Sequence, residues 1–165
     1  MAGSATIPIE AALAARDRMP RPDHDPAFGV LPRYDEARFR RRRAAHDPRN
    51  LSPDVEARER REKWRRCARL NREAADLENE VAVVEADARE ATLDADRVVT
   101  NLPFGIRVSE DLRDLYGAFA DRLREGSVDR AVALTTSPEL LPLEPVERHD
   151  VPYGRLEASI VVWEP

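Results

Sequence analysis

The sequence contains little cysteine and little histidine. Cys67 is the single cysteine, and the three histidines, His24, His46 and His149, lie far apart along the chain. One thiol excludes a disulfide within the chain, and the scattered histidines lack the paired spacing of a zinc site. We therefore expect a reducing compartment and no metal site.

Long apolar runs are also missing. No stretch approaches the roughly 18 consecutive apolar residues of a membrane-spanning helix, and residues 1–20 lack the basic start and apolar block of a signal peptide. Hydrophobic residues nevertheless make up 42% of the 165 residues, which is enough for a folded core. The sequence predicts one cytoplasmic domain without a membrane segment.

Basic charge is almost entirely arginine and is concentrated in one part of the chain. Lys63 is the single lysine among 27 basic residues, and residues 33–72 hold 15 basic against 7 acidic residues. That stretch carries +8. Because the whole chain carries -5, the remaining residues carry -13. A basic stretch on an acidic body is typical of proteins that contact phosphate, although an ordinary solvated helix face has the same composition. Arginine suits an RNA partner because its planar group binds phosphate and stacks on bases.

Apolar periodicity predicts alternating helices and strands. Steps of three and four residues indicate helices at residues 5–18, 60–76 and 110–125. Short β-branched runs indicate strands at residues 81–86, 97–100 and 131–135. Gly154 separates two more strand candidates, residues 146–151 and 156–163, which predicts a terminal antiparallel hairpin. This alternation indicates an α/β sheet, in which ligands bind at the carboxyl ends of the strands.

Three other features have less regular patterns. Residues 19–50 are rich in proline and arginine and are expected to form mainly a connecting segment, with a short helix starting near Tyr34. Residues 53–58 make a poor buried strand. Trp64 falls on the apolar side of the second predicted helix, so we expect it in the core.

The most informative segment, residues 98–105, places an amide, a proline turn and an aromatic ring directly after a buried strand. The side-chain oxygen of Asn101 and the carbonyl of Leu102 are suited to accept hydrogen bonds from an exocyclic base amine, with Pro103 fixing the turn. Phe104 would stack on a base that has left its helix. The alternative is an ordinary turn after a strand, with the phenylalanine in the core.

A turn of small residues precedes the first predicted helix. Gly3 lies in this turn, within the run Ala-Gly-Ser-Ala-Thr of residues 2–6. Such a turn brings backbone N–H groups close to a ligand. A flexible chain terminus is the plain alternative.

Two of these segments resemble a known enzyme family. Residues 101–107, Asn-Leu-Pro-Phe-Gly-Ile-Arg, resemble motif IV of amino-group methyltransferases, specifically the RNA methylases that usually carry an N-terminal THUMP RNA-binding domain. Within this family they are most similar to the archaeal-type transfer RNA guanine-N2 methyltransferases. Residues 115–119 fit the family's helix after motif IV, and residues 1–12 resemble its motif I, with Ala5 in place of the second glycine.

The resemblance implies a fold and a cofactor. The fold is a class I S-adenosylmethionine-dependent methyltransferase sheet, which is Rossmann-like and has a C-terminal antiparallel hairpin. Residues 1–165 would form the catalytic domain, incomplete at its N-terminus because the family's first strand, an Asp-Pro pair and the THUMP domain would precede Met1. The cofactor is S-adenosyl-L-methionine, and the residues implied to bind it are Gly3, Glu59, Asp87 and Asn101.

Two acidic residues have specific roles in this resemblance. Glu59 would bind the ribose hydroxyls, and it precedes Asn71 of the next helix by the family's interval of twelve residues. Asp87 would lie near the adenine amine. From the residues alone, the alternative is a surface charge for Glu59 and a loop cap for Asp87.

The implied function is methylation of RNA, with transfer RNA as the partner. The catalytic residues would be Asn101, Leu102, Pro103 and Phe104, acting on the N2 amine of guanine. Adenine-N6 methylation of RNA or DNA is an alternative, because both amines need the same acceptors. Another alternative is a non-catalytic RNA-binding fragment, in which residues 33–72 bind phosphate and the cofactor turn is empty.

Overall fold

The computed structural model describes residues 1–17, 27–45, 54–104 and 110–165. Within these ranges the chain forms helices and strands in alternation, ending in a pair of strands. The helices are α1 (Thr6–Ala15), α2 (Glu36–Ala44), α3 (Glu62–Ala74) and α4 (Glu110–Glu125), with 3-10 turns at Ala27–Val30 and Pro138–Leu140. The strands are β1 (Val55–Arg58), β2 (Val81–Val84), β3 (Arg97–Asn101), β4 (Arg130–Thr135), β5 (Glu147–Tyr153) and β6 (Leu156–Trp163).

The strands form two sheets. Strands β1 and β2 are parallel and are joined by α3, while β3 and β4 are parallel and are joined by α4. The second sheet continues with β6 and β5, both antiparallel to their neighbours, in the order β3-β4-β6-β5. Among the described residues, β1 and β3 each pair on one side only. This is the arrangement expected of a class I sheet without its first strand.

Each sheet has its own core. Helix α4 covers the four-stranded sheet with an apolar stripe at steps of three and four residues, which is the periodicity that buries one helix face. The buried residues of that stripe are Leu112, Tyr116, Phe119, Ala120 and Leu123. The second cluster joins α1 and α3 to the two-stranded sheet through Leu13, Ala57, Ala68, Leu77 and Val81.

Most of the predicted elements are confirmed. Helix α4 occupies the predicted residues, and the terminal hairpin closes at Gly154, whose φ of 65° is readily adopted only by glycine. The α/β class is likewise confirmed. None of the helices in the described ranges combines the length and the apolarity needed to cross a bilayer.

Two expectations were wrong. Residues 55–58 form a strand, paired with β2. Val55 and Ala57 alternate with Glu56 and Arg58, but the run is only four residues long and only Ala57 is buried, so the pattern is too short to indicate a strand. Trp64 is 38% exposed, and the buried side chain beside it is Arg65, at 6%. Arg65 tolerates burial because its guanidinium is hydrogen-bonded to backbone carbonyls and paired with carboxylates.

The segment expected to be mainly a connection contains a helix. Helix α2 begins at Glu36, close to the predicted start near Tyr34, and Asp35 caps it by accepting the Arg38 backbone N–H at 2.8 Å. Residues 19–26 and 46–50 of the same segment, with His24 and His46, lie outside the described residues. The short helix predicted within this segment is thus confirmed at residues 36–44.

The end of α4 gives a test of this packing. A Cβ added at Gly126 would lie 2.2 Å from the backbone oxygen of Leu93, a contact that only backbone movement can relieve. We expect Gly126→Ala to lower the free energy of unfolding by about 2 kcal/mol or more. The matched control is Gly117→Ala inside α4, where nothing lies within 4 Å and helix propensity predicts a gain of about 1 kcal/mol. Urea unfolding measures both, and equal stabilities for the two variants would contradict the packing.

Candidate active site

The predicted site residues follow the carboxyl ends of three parallel strands. Glu59 directly follows β1, the loop after β2 contains Asp87, and Asn101 is the last residue of β3. The terminal ammonium of Met1 donates to the Arg58 carbonyl at 2.5 Å, which brings the chain start to the same place. Burial lowers the pKa of that ammonium, and the nearby charges of Glu59 and Asp87 partly oppose the shift. Both carboxylates therefore lie close to Met1.

Glu59 fixes the turn of residues 2–6, which we call the glycine turn, to the end of β1. Its Oε2 accepts the Gly3 backbone N–H at 3.0 Å, and its Oε1 accepts the Arg61 backbone N–H at 2.9 Å. The Ala2 backbone N–H adds a bond of 2.8 Å to the Arg58 carbonyl. Glu59 is 8% exposed, so it is not a surface charge. Gly3, predicted from motif I, and Glu59, predicted to bind the ribose hydroxyls, are thus in direct contact.

The glycine turn leaves open space beside Gly3. Gly3 has a φ of 57°, and none of the described residues has an atom within 4 Å of the position that a Cβ would take. The turn is held from the other side by Asn71, whose Nδ2 donates to the Ser4 carbonyl at 2.9 Å. Ala5 follows with a φ of 66° and is fully buried, a left-handed conformation that costs a non-glycine residue roughly 1 kcal/mol.

Asp87 is held as a carboxylate by arginine. It accepts hydrogen bonds from the Arg89 backbone N–H at 3.0 Å and from Arg89 Nη2 at 2.6 Å, and Arg60 Nη1 lies 3.4 Å away. These contacts, led by the Arg89 side chain, hold the pKa of Asp87 well below its usual range. The pKa of Arg89 is raised, mainly by Asp87 and further by Asp111 in the first turn of α4. The loop after β2 therefore lies near the start of α4.

Arg65 positions the Glu59 loop, and the sequence pattern did not indicate this role. Its Nη1 donates to the Glu59 carbonyl at 3.2 Å and also to the Arg60 carbonyl. Its Nη2 lies 2.6 Å from Glu62 Oε2 and 2.8 Å from Glu85 Oε2. Because the surrounding stretch is rich in arginine, no compositional signal distinguishes this one buried side chain.

The turn after β3 is anchored to its neighbours. Asn101 is exposed, whereas the side chain of Leu102 is 1% exposed and its N–H donates to the Leu134 carbonyl at 3.0 Å. The Pro103 carbonyl accepts the Tyr116 hydroxyl at 3.3 Å, and the same hydroxyl lies 2.7 Å from Thr135 Oγ1. Burial raises the pKa of Tyr116, so its hydroxyl stays protonated and able to donate.

Phe104 contacts the terminal hairpin. Its ring is half-buried and meets the Tyr153 ring edge to face, with centroids 5.2 Å apart and planes at 72°. Tyr153 is 48% exposed and precedes the turn at Gly154. Phe104 is therefore not a core residue. No sequence pattern indicated Tyr153 as a site residue, because only the register of β5 and β6 brings it here.

The predicted site residues thus fall into two groups. Gly3 and Glu59 are hydrogen-bonded, with Asp87 close by, and Asn101, Leu102, Pro103 and Phe104 form one anchored turn. Residues 105–107 of the motif lie outside the described residues. Among the residues that the structure describes, no group of three or more His, Cys, Asp or Glu side chains is placed to hold a metal ion.

Comparison with known proteins gives a family and a fold. The chain matches the model of the UPF0020 family, described as an RMKL-like methyltransferase domain, over residues 1–144. No curated protein matches. Among solved structures, SMU.472, described as a methyltransferase and bound to SAH, is 20% identical with a TM-score of 0.83, over 99% of this chain and 46% of that one.

Two further solved structures are similar. A protein from Listeria monocytogenes, described as a predicted N6-adenine-specific DNA methylase, is 18% identical with a TM-score of 0.81, over 100% of this chain and 45% of that one. TrmN from Thermus thermophilus is 27% identical with a TM-score of 0.58, over 67% of this chain and 36% of that one. The chain thus spans less than half the length of each of these three solved structures.

The Glu59 contact gives a prediction about stability. Glu59→Ala leaves the Gly3 and Arg61 backbone N–H groups without their acceptors in a partly buried place. We expect the free energy of unfolding to fall by about 2 kcal/mol. Glu56→Ala is the control, since Glu56 is an exposed glutamate of β1, and a change within about 0.5 kcal/mol is expected there. Equal losses in urea unfolding would contradict the anchoring role.

Proposed function

Because the chain belongs to the UPF0020 family of RMKL-like methyltransferase domains, we propose that it transfers a methyl group from S-adenosylmethionine to the N2 amine of a guanine in transfer RNA. One observation carries the proposal: an exposed asparagine amide, Asn101, ends β3 directly before an anchored proline turn and the accessible ring of Phe104. The choice of guanine and of transfer RNA rests on the resemblance of residues 101–107 to motif IV.

S-adenosylmethionine is the cofactor of this fold and family, and it supplies an electrophilic methyl group on a sulfonium. The residues of the candidate site fit this cofactor. Gly3 has open space where a side chain would stand, which suits close approach of the methionine part. Glu59 is a buried carboxylate with one N–H on each oxygen, and the remaining lone pairs are available to ribose hydroxyls.

Asp87 is suited to the adenine amine. Its carboxylate is ionised over the whole physiological range, because Arg89 and Arg60 stabilise the charged form. An ionised carboxylate accepts hydrogen bonds and donates none, so it favours an amine over a carbonyl. This preference distinguishes adenine from bases that present a carbonyl at the same place.

The turn after β3 would handle the target amine. The lone pair of an exocyclic amine is delocalised into the ring, and hydrogen bonds from its protons to the Asn101 oxygen and the Leu102 carbonyl favour a more tetrahedral nitrogen. Tyr116 holds the turn through the Pro103 carbonyl, which keeps these acceptors in place. No general base is needed, since the amine can lose its proton to water after transfer, and alignment supplies most of the rate.

The target base would stack beside the hairpin. Phe104 presents its ring at the end of the turn, and Tyr153 supports it edge to face. Exocyclic amines inside a duplex are out of reach, so a base must be unstacked before it enters such a site. An aromatic ring lowers the cost of unstacking, because it replaces the lost neighbour of the base.

Adenine-N6 methylation is a second candidate. The same two acceptors suit the adenine amine, and the similar protein from Listeria monocytogenes is described as a predicted N6-adenine-specific DNA methylase. The two reactions leave different modified nucleosides. Nucleoside analysis of the product therefore decides between them, with N2-methylguanosine expected and N6-methyladenosine favouring the second candidate.

The test of the proposal is methyl transfer from tritiated S-adenosylmethionine to bulk unmodified transfer RNA. We expect incorporation by the unaltered chain and a fall of about 100-fold or more in Asn101→Ala, because one acceptor of the developing charge is lost. Asn79→Ala, at an exposed asparagine before β2, should leave incorporation unchanged. Absence of transfer by the unaltered chain, or equal transfer by Asn101→Ala, would contradict the proposal.

A further inference from the structure

Residues 27–45 form a small unit that the proposed site does not use. Its three aromatic rings, Phe28, Tyr34 and Phe39, contact one another, with centroids 5.7 to 5.9 Å apart. We call these three residues the aromatic cluster. None of the residues of the 3-10 turn or of α2 is buried, and Phe28 is 50% exposed. Three rings held together without burial form a surface rather than a core.

The aromatic cluster lines a cavity of about 360 Å³ together with arginines. Arg38 and Arg42 lie one helical turn apart on α2 and therefore point to the same side, and Arg33 lies on the loop before the helix. The cavity is open to solvent, so it is a surface depression rather than an enclosed pocket. The cavity thus offers flat apolar surface with positive charge at its rim.

The charge of this unit selects an anionic partner. Residues 33–43 hold six arginines against one aspartate and one glutamate, a net charge of +4. Arg40 is paired with Glu36 at 2.5 Å, and the Asp35 carboxylate caps the helix, so both acidic groups have local partners. Asp35 also lines the cavity, so it offsets one of the charges of Arg33, Arg38 and Arg42 and leaves the rim positive.

Rings combined with arginines are the means by which proteins bind single-stranded nucleic acid. Bases stack on aromatic faces and phosphates bind the guanidinium groups. A membrane surface fits less well, because α2 carries one large apolar side chain, Phe39, and no apolar stripe. An acidic peptide would use the arginines but would leave the rings without flat partners.

We propose that the aromatic cluster, with Arg33, Arg38 and Arg42, binds single-stranded RNA, with a base against the rings and the adjacent phosphates on the arginines. The choice of RNA over DNA rests on the proposed function. The site is distinct from the turn after β3, so it would hold a segment of the substrate that does not react.

The test is fluorescence anisotropy with a labelled twelve-nucleotide uridine oligomer, titrated with the whole chain over a series of salt concentrations. Removing two phosphate contacts in Arg38→Ala/Arg42→Ala should weaken binding and should reduce the slope of log affinity against log salt by about 1.4. Arg97→Ala/Arg124→Ala removes the same charge from exposed positions outside this unit, and it should change neither value.

A second variant tests the rings. Tyr34→Leu keeps an apolar side chain but removes the flat face, and it should weaken binding about 5-fold or more, whereas Tyr34→Phe should retain affinity. Far-UV circular dichroism establishes that each variant is folded. Unchanged affinity in both Arg38→Ala/Arg42→Ala and Tyr34→Leu would overturn the site. Tighter binding of oligothymidine than of the uridine oligomer would overturn the choice of RNA.

This outcome is separable from that of the methyl-transfer proposal. The binding assay contains no methyl donor, so it reports on residues 27–45 whether or not transfer occurs. Failure of transfer with intact, variant-sensitive RNA binding would reject the proposed reaction and support this site. If methyl transfer persists but Arg38→Ala/Arg42→Ala leaves RNA binding unchanged, the proposed reaction is supported and this site is rejected.

Discussion

One buried carboxylate joins the parts of the candidate site. Glu59 accepts a backbone N–H from the glycine turn on one oxygen and a backbone N–H from its own loop on the other, and Arg65 holds the carbonyl of the same residue. A buried charge without such partners would cost several kcal/mol, so the carboxylate and its donors require one another. The end of β1, the start of α1 and the start of α3 are consequently fixed in one arrangement.

The fold was predictable where burial leaves a periodic signal. Helix α4 and the β5–β6 hairpin bury regular stripes or end at a glycine turn, and both were predicted close to their observed bounds. Strand β1 was missed because it buries a single small side chain, Ala57, between polar residues. Trp64 was misplaced because periodicity identifies a helix face but does not show that a paired arginine, Arg65, occupies it.

The candidate site was predictable where chemistry is local in sequence. Asn101, Leu102, Pro103 and Phe104 are consecutive, and an acceptor, a turn and a ring together suggest a base amine. Tyr153 could not be predicted, since its contact with Phe104 depends on strand register across the hairpin. The contact of Glu59 with Gly3 also joins distant parts of the chain, and only the family resemblance suggested that they share a ligand.

The most direct measurement is a calorimetric titration of the chain with S-adenosylmethionine, comparing Glu59→Gln with Glu56→Gln. We expect one binding site per chain. Affinity should fall about 10-fold or more in Glu59→Gln, because a charged acceptor of the ribose hydroxyls is lost, and should be unchanged in Glu56→Gln. No binding by the unaltered chain, or equal affinity in the two variants, would contradict this expectation.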